Sequence, residues 1–286
     1  LILGASGVVG FHLAEHLQQK HEVMRVARTS KKADYQMDVS DFGALSKLVA
    51  KTKPDALINA VKPPLSTDEI EEKREVALKM NALLPQKLAE MQKIFGYALL
   101  HISTDWVYEG KEGEAYSEES PVHPQNYYTQ TKLEGERLIA KASSDFLIAR
   151  TEGVFGIDEK GSNPFLRLKA CAENGKPFVA PTDQFSQPIC GAELARLLGI
   201  LLETKKAGIY NVAGPDYVSR YEFATMVCEE LGWKCDVQAS LAKERRIKIP
   251  KCLRLDLDKV KKDAGEIMPL RKQIACLRGF LHERGI

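Results

Sequence analysis

The opening LILGASGVVGFHLAEHL constrains the fold more than any other stretch of this chain. Gly4, Gly7 and Gly10 follow an apolar run and begin a segment of helical period. A turn of this kind lets backbone approach a ligand closely and aims the free N–H groups of a helix N-terminus at it, which suits a pyrophosphate. Gly4, Ser6, Gly7, Val8, Val9 and Gly10 are therefore the expected phosphate-side residues of a dinucleotide site. The spacing is G-x-x-G-x-x-G, distinct from the more familiar G-x-G-x-x-G. Three residues precede Gly4, fewer than the usual five or six of a strand, so the sequence is expected to start inside its first strand.

The first half goes on alternating short apolar runs with helix-period segments, the pattern of a parallel sheet covered by helices. Residues 1–3, 22–27, 56–59, 97–103 and 146–150 read as strands. Helices are expected near 7–19, 42–51, 71–95 and 127–142. After Arg150 the alternation loosens, with helices near 163–174, 191–203, 220–231 and 256–264. The fold class that follows is α/β: a doubly wound parallel Rossmann sheet over residues 1–150 with a smaller C-terminal substrate lobe over 151–286. A strand near 209–212 is expected to return to the main sheet.

Composition narrows the partners. Among 286 residues, 41 basic and 39 acidic side chains leave a charge of +2, without long blocks of one sign, which argues against nucleic acid or an anionic membrane. No apolar run reaches the length of a membrane span and the start lacks signal-peptide character, so a cytoplasmic protein is expected. The six cysteines lie in the second half, never at Cys-x-x-Cys spacing, and read as reduced. His12 and His16 share a helical face, but no third ligand stands nearby. They read as a surface helix, and no metal is expected.

At the end of the second strand an NAD site carries an acid for the ribose 2′-hydroxyl. Here the sequence is Arg28-Thr29-Ser30-Lys31-Lys32, whose cations and hydroxyls suit a 2′-phosphate. NADP(H) is the expected cofactor, with NAD(H) the alternative. Asp38 and Val39 follow a third short strand and would flank the adenine. Asn59, Ala60 and Val61 lie where the fourth strand meets the cofactor.

LLHISTDWVYEG then puts Ser103, Thr104 and Asp105 after a buried run, at the carboxyl edge where open α/β sheets bind ligands. In NYYTQTKLEGERL, helical spacing lets Tyr128, but not Tyr127, meet Lys132. Alone this match means little, because nine tyrosines yield about one chance Tyr-x-x-x-Lys in such a chain. Together with the glycine loop and the strand-end hydroxyl, it resembles the extended short-chain dehydrogenase/reductase superfamily. Within it, STDWVYEG, PVHPQNYYTQTKLEGE, RTEGVFG and DQFSQPICGAELA are similar to successive landmarks of the dTDP-4-dehydrorhamnose reductase family, in that family's order.

The resemblance implies hydride transfer from nicotinamide to the 4-keto group of a nucleotide-activated deoxysugar, as in dTDP-rhamnose biosynthesis. Thr104, Tyr128 and Lys132 would be the catalytic triad, with Tyr128 and Lys132 also at the cofactor and Thr104, Asp105, Gly153 and Gln187 at the substrate. A phenol near pKa 10 is a poor proton carrier at neutral pH, and moving it by about 3 units takes about 4 kcal/mol. Lys132 is expected to supply much of that by stabilising phenolate.

Departures fall on the substrate side. The family's Arg-Thr-Ser-Trp reads Arg150-Thr151-Glu152-Gly153, removing an aromatic and bringing a negative charge towards the diphosphate. Gly-x-Pro-Thr has become Ser186-Gln187-Pro188-Ile189. The family's Arg-Pro reads Ile249-Pro250, so that Lys251 or Arg254 would stand in for a phosphate-binding arginine. A different sugar ketone is one consequence, and an epimerase or dehydratase of the same superfamily another. A third is an NADP-binding regulatory subunit without catalysis of its own, since the regulatory β subunit of methionine adenosyltransferase resembles the same reductases. The acidic residues through which the family forms metal-linked dimers have no clear match in HERGI or Glu266, and a homodimer stays open.

Overall fold

Seven parallel strands form the central sheet of the computed structural model, which describes residues 1–159, 161, 163–243 and 246–283. They are β1 (Ile2–Leu3), β2 (Arg25–Ala27), β3 (Tyr35–Gln36), β4 (Ala56–Asn59), β5 (Ala98–Thr104), β6 (Leu147–Thr151) and a last strand, Gly208–Asn211. Their order, from the last strand, is Gly208–Asn211, β6, β5, β4, β1, β2, β3. The order reverses between β1 and β4, and such a switch point opens a crevice at the carboxyl ends of the strands.

Strands covered on both faces must be apolar on both. Ile2, Ile58, Leu100 and Leu147 point to one side, against Leu13 and Leu17 of the Val8–Leu17 helix and Leu194, Leu197 and Leu198 of the Gly191–Glu203 helix. Leu3, Leu57, Leu99 and Ile148 point to the other, against Leu45, Leu88 and Ile139. Each such side chain contributes about 1.5–3 kcal/mol by leaving water, and cutting Leu57 or Leu100 to Ala would cost about 2–5 kcal/mol. Both are buried.

The helix expected over 71–95 is broken instead. Thr67–Glu72 is capped by Ser66 and Glu69, Arg74–Leu78 follows, Lys79–Leu83 widens into a π turn and Leu84–Phe95 resumes the α-helix. Pro85 has no N–H for the carbonyl of Asn81, and its ring crowds that oxygen. A widened turn relieves both problems.

Small two-stranded sheets build the second half: Val154–Phe155 with Ile189–Cys190, Phe185–Ser186 with Val218–Ser219, and Phe178–Pro181 with Val237–Ser240. Their core is aromatic, with Phe155 against Phe223 and Phe165 against Trp233. A C-terminal helix that the sequence reading did not include, Leu270–Glu283, seals it through Leu270, Ile274, Leu277 and Leu281. Among the described residues, no helix is long and apolar enough to cross a membrane.

His12 corrects the reading of a surface helix. It is buried between the Val8–Leu17 helix and the second half, and its Nε2 accepts the Ile157 N–H at 3.2 Å. Most of HERGI, from residue 284, lies outside the described residues.

Candidate active site

The glycine turn leaves no room for a side chain at two of its three glycines. Gly4 sits at φ +82°, where a Cβ would lie 2.7 Å from the Ala60 carbonyl oxygen, and a Cβ on Gly10 would lie 2.3 Å from that of Gly4. Only glycine allows strand, turn and helix to approach so closely. Gly7 occupies the N-cap of the Val8–Leu17 helix, so no side chain caps it, and no acid stands in the first turn. The N–H groups of that turn stay available to an anion. Ser6, Val8 and Val9 are partly exposed around it.

Arg28 and Thr29 stand exposed just beyond β2, and Val39 is buried behind Asp38. The Ser40 backbone N–H and hydroxyl hold the Asp38 carboxyl below its ordinary pKa, so it is ionised at neutral pH. Beyond β4, the Asn59 side-chain oxygen accepts the Val61 N–H at 3.2 Å and fixes the turn that carries Ala60.

Strand alternation and helical spacing assemble the catalytic candidates. His101 and Ser103 are two apart on β5 and share a face; Lys132 and Glu136 are four apart on the Tyr127–Ala142 helix and share another. The two faces meet. Lys132 Nζ donates to the Ile102 carbonyl at 2.5 Å and lies 3.4 Å from His101 Nε2, while Ser103 donates to Glu136. Arg150, the β6 partner of Ser103, closes the group by pairing with Glu136 at 2.6 Å. Its guanidinium also donates to the Tyr108 hydroxyl at 2.7 Å. A buried ion pair needs such full satisfaction to be tolerated.

Thr104 ends β5 and faces Tyr128. Its hydroxyl donates to Asp105 Oδ1 at 3.1 Å and accepts the Trp106 N–H at 3.3 Å. Burial pushes the Tyr128 phenol up to about 12; Asp105 adds to the rise, and a hydrogen bond with Thr104 opposes it. The expected lowering by Lys132 is not what this arrangement does, because the ammonium is turned to Ile102 and His101. Burial lowers the Lys132 pKa to about 8, against the pull of Glu136. The Trp106 ring meets Tyr128 edge-on, centroids 6.1 Å apart. Tyr127 stays apart, its ring under Arg74 at 4.7 Å and its N–H on Glu71 at 2.7 Å.

Residues 1–282 match the RmlD substrate binding domain family. The chain belongs to that family. It is similar to the spore coat polysaccharide biosynthesis protein SpsK of Bacillus subtilis, with 30% identity over 99% of this chain and 97% of that protein. It is 32% identical to the dTDP-4-dehydrorhamnose reductase of Aggregatibacter actinomycetemcomitans, over 80% of this chain and 78% of that one. A solved structure of a hypothetical dTDP-4-dehydrorhamnose reductase from Sulfolobus tokodaii superposes with a TM-score of 0.79 at 32% identity, covering 91% of this chain and 93% of that one.

Gly153 is exposed at φ +54°, and a Cβ there would lie 3.1 Å from Pro188 Cα. Gln187 is buried, and its side-chain oxygen accepts the Leu255 N–H at 2.5 Å, so it ties two loops together. Lys251 is exposed and pairs with Asp183 at 3.2 Å. Glu152 departs from the expected negative charge near a diphosphate. It is 6% exposed, and burial, with Asp105 next to it, pushes its carboxyl well above the usual carboxylate range.

The sequence reading missed His101, Trp106 and Arg220 as members of the site. A histidine inside the apolar run of LLHIST was a usable signal, since a buried imidazole needs a partner. Arg220 gave none, because it reaches Asp105 and Glu152 only through the packing of the second half.

Proposed function

We propose that this chain reduces the 4-keto group of a nucleotide-activated deoxysugar with NADPH, as a dTDP-4-dehydrorhamnose reductase. The observation that carries the reading is Thr104 at the end of β5, with Tyr128 and Lys132 one turn apart on the Tyr127–Ala142 helix beside it, at the carboxyl edge of the sheet that also carries the glycine turn. The named relatives support it.

The residues present fit a dinucleotide. Gly4 and Gly10 leave room for close backbone approach, the uncapped helix start at Gly7 offers N–H donors, and exposed Arg28 and Thr29 suit a 2′-phosphate. Ser6, Val8 and Val9 would line the pyrophosphate, Asp38 and Val39 the adenine, and Asn59, Ala60 and Val61 the inner turn. Reduced nicotinamide supplies the hydride when bound. Lys132 would hold the ribose hydroxyls.

The chain's own part in the chemistry is polarisation and proton supply. Thr104, whose hydroxyl donates to Asp105 in the free protein, would turn that donor to the ketone oxygen, which carries charge as the carbonyl is reduced. Tyr128, its phenol protonated throughout the neutral range, gives its proton to that oxygen. Asp105 and the turn at Gly153 border the sugar. Residues 1–150, with the returning strand, form the cofactor side and 151–286 the substrate side of this reading; a cytoplasmic site of action and a homodimer are compatible with it. No observation favours the regulatory alternative.

The test is atom tracking. NADPH deuterated at the transferring position, incubated with the protein and dTDP-4-dehydrorhamnose, should leave deuterium at C4 of the product sugar. Product without deuterium at C4 would reject the reading.

A further inference from the structure

Thr104 and Thr151 are Cα partners at the ends of β5 and β6. Asp105 and Glu152 follow them, so the register of the sheet brings two carboxyl groups side by side at its carboxyl edge, next to the hydroxyl that Tyr128 uses. Both are nearly inaccessible, 2% and 6% exposed. Asp105 Oδ2 and Glu152 Oε1 are buried without any hydrogen-bond partner, as is the hydroxyl of Thr151, the residue before Glu152.

Each orphaned oxygen costs about 1–3 kcal/mol unless something fills it. Three of them gather at this one edge. Arg220 is close enough to act on both carboxyls, the Gln187 backbone N–H donates to Glu152, and Tyr217 is within electrostatic reach of Glu152. Burial, partly offset by the Thr104 hydrogen bond, pushes Asp105 up to about 7, and burial with Asp105 beside it raises the Glu152 carboxyl well above the ordinary range. Such a pair can accept one hydrogen bond and donate another.

We propose that Glu152 sets substrate specificity: with Asp105 it receives a hydrogen-bond donor, a hydroxyl or an amino group, on the sugar carbon next to the carbonyl that Thr104 and Tyr128 polarise. The proposal rests on the reductase reading. It makes the substrate class a keto sugar whose neighbouring carbon carries a polar donor. A site built to hydrogen-bond a substrate group rejects the analogue lacking it far more strongly than an apolar pocket rejects a missing methylene.

The test compares dTDP-4-dehydro-6-deoxy-L-mannose with its 3-deoxy and 3-amino-3-deoxy analogues, by turnover with NADPH and by calorimetric binding to the NADP-loaded protein. In the wild-type protein the 3-deoxy analogue should bind about 100-fold more weakly than the hydroxyl form. Glu152→Ala should shrink that ratio to less than about 10-fold, while Glu152→Gln, which keeps an oxygen and the shape, should retain most of it. A preference for the amino analogue would assign the donor as an amine, and a preference for the hydroxyl form would assign it as an alcohol. An unchanged ratio in Glu152→Ala, or no discrimination by the wild-type protein, would overturn the proposal. Binding discrimination without any turnover would instead overturn the reductase reading.

Discussion

Lys132 Nζ lies 3.4 Å from His101 Nε2, inside the packing between β5 and the Tyr127–Ala142 helix. Burial, and then the charge of Lys132, hold the imidazole well below its ordinary pKa. The ring meets the Lys132 ammonium on one side and the Asn59 amide on the other, and the ammonium also donates to the Ile102 carbonyl. Lys132 is thus positioned by β5 rather than by Tyr128.

This arrangement has a pH signature. With its pKa lowered to about 8, Lys132 is charged below that value and loses its proton as pH rises through it. The wild-type kcat/KM for reduction should fall as pH rises past about 8, with kcat/KM reporting groups of the free enzyme. Lys132→Met should be slower and should lack that limb. A limb that persists in the variant assigns it to another group.

Asp105 gives a stability prediction of definite sign. Its folded pKa, about 7, lies above the ordinary 3.8, so the stability its neutral form allows is present at low pH and is lost as pH rises from about 4 through about 7. The largest loss is about 4 kcal/mol. Asp105→Asn cannot ionise, and it should therefore be more stable than wild type at pH 8 by about 1–3 kcal/mol, with the gain shrinking towards pH 4. Thermal melts across that range measure it.

The Arg150–Glu136 pair predicts the opposite cost. Both side chains are buried and the pair spans 2.6 Å. Arg150→Met leaves a buried carboxylate with the Ser103 hydroxyl as its remaining side-chain donor, and should destabilise the fold by about 3–5 kcal/mol. Urea denaturation at neutral pH reads this directly.

Arg28 is exposed beyond β2, and in the proposed reading it meets the 2′-phosphate of NADPH. Arg28→Ala should raise the Kd for NADPH about 10-fold, close to 1.4 kcal/mol, and leave that for NADH within about 2-fold. Fluorescence titration distinguishes the two, and equal losses for both cofactors would remove the assigned role.

The sheet was legible in the sequence because strands buried on two faces must be apolar runs, and β1, β4, β5 and β6 are. The spacing of Tyr128 and Lys132 was legible too, but their partners were not. Spacing alone does not reveal that Lys132 turns to Ile102 and His101, because that depends on how the helix lies across β5. The break at Lys79–Leu83 escaped notice because it arises from Pro85 acting on Asn81 inside an otherwise helical pattern. Glu152 stood out as a change of residue, yet its burial beside Asp105 depends on the Thr104–Thr151 register, which no local pattern encodes.

The central claim is that Tyr128 delivers the proton in a ketone reduction. The most direct measurement is NADPH oxidation with dTDP-4-dehydrorhamnose for wild type and Tyr128→Phe side by side, with NADPH affinity measured on both. The account predicts turnover by the wild type, a loss of about 1,000-fold or more in kcat in the variant, and NADPH binding within about 3-fold. Turnover by Tyr128→Phe at the wild-type rate would contradict it.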